Sequence, residues 1–269
     1  MEKKWALITG ASSGIGREFA RILSANDYSL ILVARRLERL EDLKEELEYN
    51  SQDEDFECRV IQKDLRGVYA LNELYDETKD LNVDILINNS GFGDHGEFVD
   101  TDLQKEMDMI DVNIKAMHVL TKKYLRDFVK KDSGYILNVS SSAGLMPAGP
   151  YMATYYASKA YSTSLTSGIA AELRKRKSNV YIGALCPGPV DTEFNDVANC
   201  KFSIGGISPR FCAKYALEKM FSRKEIIIPS VKMQIAAKVG KVAPRKLVID
   251  ICGRQQKRKK WRSIVKSKF

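Results

Sequence analysis

Short apolar runs rich in β-branched residues alternate with longer amphipathic stretches along almost the whole chain. The runs predict strands at residues 5–9, 29–34, 57–62, 83–88, 134–140, 179–186 and 225–228. Leu30-Ile31-Leu32-Val33 is apolar at every position, the pattern of a strand covered on both faces. Between the runs, helical spacing takes over. Leu37, Leu40, Leu43 and Leu47 recur at three and four residues, with Glu and Lys on the opposite side. Residues 101–130 read as one long helix or two in series, and residues 153–177 as another. Such alternation predicts an α/β, doubly wound parallel sheet of about seven strands with helices on both faces. No repeat or low-complexity linker interrupts it, so residues 1–230 read as one domain and residues 231–269 as an extension.

Composition narrows the picture in three ways. The five cysteines are odd in number and show no CxxC spacing, which suits incidental thiols in a reducing compartment. With His95 and His118 the only histidines, a His-based metal site or a Ser-His-Asp triad is poorly supplied. The net charge of +8 is uneven: residues 232–269 carry +12, leaving −4 for the first 231. The basic character therefore belongs to the extension, and the body is an ordinary, mildly acidic globule. The amino-terminal apolar run is too short for a signal peptide, and no stretch approaches the ~20 apolar residues of a membrane span. A cytoplasmic protein is expected.

Chemistry enters at the first strand's end. Thr9-Gly10-Ala11-Ser12-Ser13-Gly14-Ile15-Gly16 precedes an amphipathic helix, and glycines there let backbone N–H groups approach a ligand. The helix N-terminus that follows favours a pyrophosphate, and Ser12 and Ser13 add side-chain donors. The spacing is GxxxGxG, and glycine is also common in strand-helix turns for steric reasons alone. The second strand ends in Ala34-Arg35-Arg36. An acid there would bind an adenosine ribose hydroxyl, whereas Arg accommodates a 2′-phosphate, so Arg35 points to NADP(H) over NAD(H). The plainer reading is that both arginines begin the solvated face of the next helix.

After the fifth strand comes Asn138-Val139-Ser140-Ser141-Ser142-Ala143-Gly144, with Tyr155 fourteen residues beyond Ser141 and Lys159 four further on. On a helix, Tyr155 and Lys159 share a face. A free phenol has a pKa of about 10, and a nearby ammonium favours the phenolate and so eases proton exchange. Ser141 is then placed to hydrogen-bond the same substrate oxygen. A Tyr-x-x-x-Lys pair or a serine run alone is commonplace; joined to the glycine turn, they form a specific combination.

On these motifs, with Asn88-Asn89-Ser90-Gly91, Asn113 and Pro187-Gly188, the chain resembles the short-chain dehydrogenase/reductase family over about residues 4–230. The resemblance implies a Rossmann-like fold and a role for each position. Asp64, in Lys63-Asp64-Leu65, would meet the adenine. Asn89, Ser90 and Gly91 would line the cofactor cleft, although Ser90 replaces the more usual Ala. Asn113 would position a water in a proton relay with Lys159, and Lys159 would also bind the nicotinamide ribose. Pro187, Gly188, Val190 and Thr192 would hold the nicotinamide end. Family spacing selects Tyr155 over Tyr151 and Tyr156, and Ser141 over Ser140 and Ser142. A homodimer or homotetramer built on the helices at 101–130 and 153–177 is implied as well.

Residues 193–210 are irregular and occupy the place of a substrate lid, with Phe194, Phe202, Ile204 and Ile207 as an apolar wall. The alternative is a plain surface excursion. Val231, Ile235, Val239 and Val242, and then Trp261, Ile264, Val265 and Phe269, recur at helical spacing among lysines. That segment could lie on an anionic membrane surface, or pack on its own domain or a second subunit. Nucleic acid is not an expected partner, because interleaved aromatics over a broad surface are lacking. The leading expectation is an NADP(H)-dependent reductase or alcohol dehydrogenase acting on an apolar carbonyl or alcohol. The alternatives are an NADP(H)-binding interaction protein without turnover and a sugar-nucleotide epimerase, for whose extra domain the chain is short.

Overall fold

A computed structural model describes residues 3–198 and 206–257. Seven parallel strands are ordered β3-β2-β1-β4-β5-β6-β7. They are β1 (Trp5–Thr9), β2 (Ser29–Ala34), β3 (Cys58–Gln62), β4 (Val83–Asn88), β5 (Tyr135–Val139), β6 (Tyr181–Leu185) and β7 (Ile226–Ile227). Each lies within or on the stretch expected from the apolar runs.

The central strands are apolar throughout because both faces are covered. Along β1, Ala6 and Ile8 face one apolar cluster, which holds Phe19, Leu40 and Leu217. Trp5 and Leu7 face the other, with Leu74, Leu120, Tyr124 and Phe128. The first cluster is completed by helices α1 (Gly14–Ser24) and α2 (Leu37–Asn50), the second by α3 (Val68–Thr78). In α2 it is Leu40, Leu43 and Leu47 that are buried, as their spacing requires.

The stretch expected as one or two helices is two, α4 (Leu103–Ile110) and α5 (Met117–Lys131), joined by a π-helical turn at Asp111–Ala116. Such turns carry one extra residue and re-aim the side chains that follow. Then come α6 (Ala153–Lys175), the short α7 (Phe194–Val197) and α8 (Pro209–Phe221). The strand order reverses between β1 and β4, so a crevice opens beyond their carboxyl ends, where ligands bind in sheets of this kind.

The basic extension forms α9 (Val231–Val242) and α10 (Arg245–Lys257). Both pack on their own domain: Val248 and Cys252 are buried with Met109, Ala143, Met152, Tyr155 and Tyr156. Trp261, Ile264, Val265 and Phe269 lie outside the described residues, as do Phe202 and Ile204. Among the described residues no helix is long and apolar enough to cross a membrane.

Candidate active site

One continuous cleft of about 1070 Å³ runs from the glycine turn to the roof made by α9 and α10. At its polar end, β1 stops at Thr9 and Gly10 reverses the chain with φ +67°. A methyl group on Gly16 would sit 2.3 Å from the Gly10 carbonyl oxygen, so this close turn admits only glycine. The turn is tied to the end of β4. Asn89 Nδ2 donates to the carbonyls of Thr9 and Gly10 at 3.0 and 3.1 Å, and the N–H groups of Asn89 and Ser90 reach Thr9 Oγ1. Ser13, at the start of α1, makes no side-chain capping bond, which leaves first-turn N–H groups available to a ligand. Ser12, Ser13, Gly14 and Ile15 all line the cleft here.

Two arginines border this end and behave differently. Arg36 donates to Ser13 Oγ at 2.9 Å and Ser12 Oγ at 3.2 Å, and pairs with Glu193 at 2.8 Å. Arg39 also binds Glu193, and the two guanidinium groups hold that carboxyl below its ordinary value. Arg35 is exposed and lines the cleft together with Asp64 and Leu65. Partial burial pushes Asp64 up, but its bonds with Arg66 outweigh this and hold it below the usual carboxylate range. The sequence favours Arg35 for a 2′-phosphate, but in the structure Arg36 is the one that meets the serines.

Further along, α6 carries Tyr155 and Lys159 one turn apart, over the end of β5. Lys159 is 5% exposed, and its Nζ donates to the Val139 carbonyl at 2.9 Å and stands 5.8 Å from the Tyr155 ring centre. Burial disfavours the ammonium and draws its pKa down to about 8. Ser141 starts a 3₁₀ turn (Ser142–Leu145) and its Oγ accepts the Ala143 N–H at 3.1 Å, a bond that leaves its hydroxyl proton unused.

The residues flanking each candidate have other work. Ser140 Oγ donates to the Lys159 carbonyl at 2.9 Å, bracing α6 on the sheet. The Ser142 N–H binds the Pro187 carbonyl at 2.7 Å. Tyr156 faces α10, where its hydroxyl accepts from Gln256 Nε2 at 2.7 Å, and Tyr151 stacks on His95.

Asn113 lies on the π turn. Its Oδ1 accepts the Phe92 N–H at 3.1 Å, and its Nδ2 donates to the Phe92 carbonyl at 2.9 Å and to Ser158 Oγ at 3.1 Å. Gly91 lies between it and the lysine: a Cβ there would stand 2.9 Å from Asn113 Oδ1 and 3.2 Å from Lys159 Nζ. Beyond β6, Pro187, Gly188, Val190 and Thr192 line the cleft with Ser90 and Gly91. Of the expected lid residues, Phe194 packs on the Tyr155 ring at 5.4 Å. Ile207 does not form a wall. It bridges Val190 and packs into the core beneath it, because pairing there satisfies backbone groups that the irregular segment would otherwise leave open.

The apolar end was missed in the sequence. Met146, Met152, Met233, Val239, Val248, Ile251 and Cys252 line it, five of the seven from α9 and α10. Helical spacing predicted an amphipathic α9 but held no sign of what it would cover. His95 sits in a loop beside the cleft, buried, with its Nε2 3.1 Å from the Gln256 carbonyl.

The residues present fit a dinucleotide. The close glycine turn, the uncapped helix start, two hydroxyls, flanking guanidinium groups and a buried amine succeed one another along a single cleft. Fold and site together define a dinucleotide-dependent oxidoreductase, and relatives agree. Residues 4–201 match the short chain dehydrogenase family. The chain is 34% identical over 191 residues to oxidoreductase UcpA of Salmonella typhimurium, covering 70% of each protein. It is 34% identical over 183 residues to the very-long-chain 3-oxoacyl-CoA reductase of Neurospora crassa, covering 66% of this chain and 54% of that one. A short-chain dehydrogenase from Sphingobium yanoikuyae, solved in complex with NADPH, superposes with a TM-score of 0.79 at 28% identity, covering 89% of this chain and 93% of that one. The chain belongs to the short-chain dehydrogenase/reductase family, whose members are nicotinamide-dependent oxidoreductases.

Proposed function

We propose that this protein is an NADP(H)-dependent carbonyl reductase or alcohol dehydrogenase for an apolar ketone, aldehyde or secondary alcohol. The observation that carries this reading is the placement of buried Lys159 beside Tyr155, in a cleft that is polar at the glycine turn and apolar beneath α9 and α10. Gly10 through Gly16, Asp64, Leu65, Asn89, Ser90, Gly91 and the 187–192 segment would hold the cofactor, with Arg35 and Arg36 beside its 2′-phosphate. Bound there, the nicotinamide supplies a hydride to the carbonyl carbon.

Tyr155 donates its proton to the carbonyl oxygen as negative charge builds on it, and Ser141 Oγ hydrogen-bonds the same oxygen. The Lys159 ammonium lowers the proton affinity of the phenol through space and meets the nicotinamide ribose. Asn113 fixes Phe92 and Ser158 around the lysine, and a water beside it completes the relay that restores the Tyr155 proton. The NADPH-bound relative from Sphingobium yanoikuyae supports the choice of cofactor. The basic residues Arg35 and Arg36 at the end of β2, where an acid would bind a ribose hydroxyl, support it independently.

Fluorescence titration with NADPH and NADH, on the native chain and on Arg35→Ala and Arg36→Ala, tests the reading. Tighter NADPH binding that weakens in either variant supports it, and no binding of either cofactor overturns it. Peripheral contact with an anionic bilayer would rest on α9, where Val231, Ile235 and Val242 are exposed along with Lys232 and Lys238. Co-sedimentation with phosphatidylglycerol vesicles at low and high salt tests that contact.

A further inference from the structure

We infer that Gln256, in the last described turn of α10, is a specificity residue that accepts a hydrogen bond from a hydroxyl group the substrate carries at a distance from its carbonyl. The inference rests on the reading of Tyr155 above and names the kind of molecule that site takes.

Gln256 is 5% exposed and lines the same cleft as Tyr155. One end of its amide is used: Nε2 donates to the Tyr156 hydroxyl at 2.7 Å. The other end, Oε1, is buried and has no hydrogen-bond partner among the described residues. A buried amide oxygen without a partner is costly unless something supplies one. Asn88 Oδ1 and Ser162 Oγ share that condition, but neither residue lines the cleft. Gln256 therefore differs in that its side chain lines the cleft, so that a small rotation of the amide would offer Oε1 to a ligand.

The amide is also held in place. Arg245 donates to the Pro147 carbonyl at 3.2 Å at one end of α10, Gly253 lies against Pro150, and the Gln256 carbonyl is 3.1 Å from His95 Nε2. The rings of Tyr155 and Tyr156 are 6.3 Å apart and nearly perpendicular, and both residues line the one cleft. Met146, Met152, Val248 and Cys252 line the space around them. The complementary molecule has a carbonyl at Tyr155, an apolar body, and a hydroxyl at its far end that donates to Gln256 Oε1.

The test uses full-length protein with NADPH and a ladder of methyl ketones of six to twelve carbons. Each is supplied unsubstituted, with a terminal hydroxyl, and with a terminal methoxy group that can accept but not donate. At the chain length that spans the two sites, kcat/KM for the hydroxyl form exceeds both others by about tenfold or more, since a site built around a hydrogen bond rejects analogues that lack it. Gln256→Leu brings that ratio to near one. Gln256→Glu, which keeps an acceptor oxygen, retains the preference. Gln256→Met replaces the Leu variant should thermal melting show the latter unfolded.

A native enzyme with no hydroxyl preference at any length, an equal preference for methoxy, or a preference that survives Gln256→Leu overturns the inference. Failure of every ketone to be reduced is a different result: it sinks the reductase reading itself.

Discussion

At the floor of the cleft, three of the residues proposed for the chemistry are tied to backbone. Lys159 is tied to Val139, Ser141 to Ala143, and Asn113 to both polar groups of Phe92. The roof is attached more sparingly. α9 and α10 lay an apolar face over the cleft, Val239, Leu247 and Ile251 remain partly in solvent, and among the described residues the side-chain attachments to the rest of the fold are at Gln234, Arg245 and Gln256, with the Gln256 carbonyl on His95. The floor sits on strand ends and a long helix whose positions the sheet fixes. The roof is a separate pair of helices, in contact with the floor through Val248 and Cys252. A scaffold divided this way keeps one reaction while its substrate changes, so the two regions should respond differently to substitution.

The largest effect is expected from Tyr155→Phe. Ketone reduction should lose about 10²- to 10⁴-fold in kcat/KM, the worth of a positioned general acid. NADPH affinity, followed by fluorescence, should change little. Comparable losses in both would return Tyr155 to the role of a cleft wall.

Next is Asn113→Leu, which strips the partners from both polar groups of Phe92 and from Ser158. Leaving buried donors and acceptors unpaired costs about 1–3 kcal/mol each. Denaturant unfolding should show a loss of that order, with activity falling alongside it.

Lys159 gives the floor a pH signature. Its pKa in the folded chain is about 8, below its ordinary 10.5, because burial disfavours the ammonium. The ammonium is therefore present below pH 8, and kcat/KM for reduction should be level there and fall about tenfold per unit above it. Lys159→Ala should abolish the break along with most of the activity. Stability runs the other way. Between pH 8 and 10.5 the unfolded chain binds more protons than the folded one, so the cost of burying the charge is full below 8 and disappears as pH rises through that window. Melting temperatures of native protein and Lys159→Met should converge at the alkaline end.

The roof should yield a milder result of another kind. Val248→Ala removes two buried carbons and Ile251→Ala three that are partly in solvent, at about 0.8 kcal/mol per buried methylene. KM for an apolar ketone should rise several-fold while kcat holds. A fall in kcat instead would mean that the roof also sets the geometry of the floor. The smallest effect is expected at Glu193, whose carboxylate occupies Arg36 and Arg39. Glu193→Gln should tighten NADPH binding by about two- to threefold, and salt should erase the difference, as for any exposed ion pair.

Legibility followed the same division. The strands were readable because a sheet covered on both faces demands unbroken apolar runs, and Leu30 to Val33 has no other use. Gly10, Gly14 and Gly16 were readable because close approach leaves no alternative residue, and Tyr155 with Lys159 because helical spacing puts them on one face. Arg36 was harder. Arg35 and Arg36 are neighbours in sequence, and only the path of the chain into α2 turns the second toward Ser12 and Ser13. Ile207 was misplaced because an apolar residue in an irregular segment can face a cleft or a core, and pairing with Val190 decided it.

The sequence by itself therefore determined the alternating fold, the close glycine turn and the pairing of Tyr155 with Lys159, since each is a local pattern whose spacing along the chain already brings its parts together. Tertiary structure alone decided which residues line the apolar end of the cleft. Gln256 lies a hundred positions from Tyr156, and Val248 nearly as far from Met152. No periodicity within α10 records which surface it will cover, because an apolar face is complementary to any other until packing chooses between them.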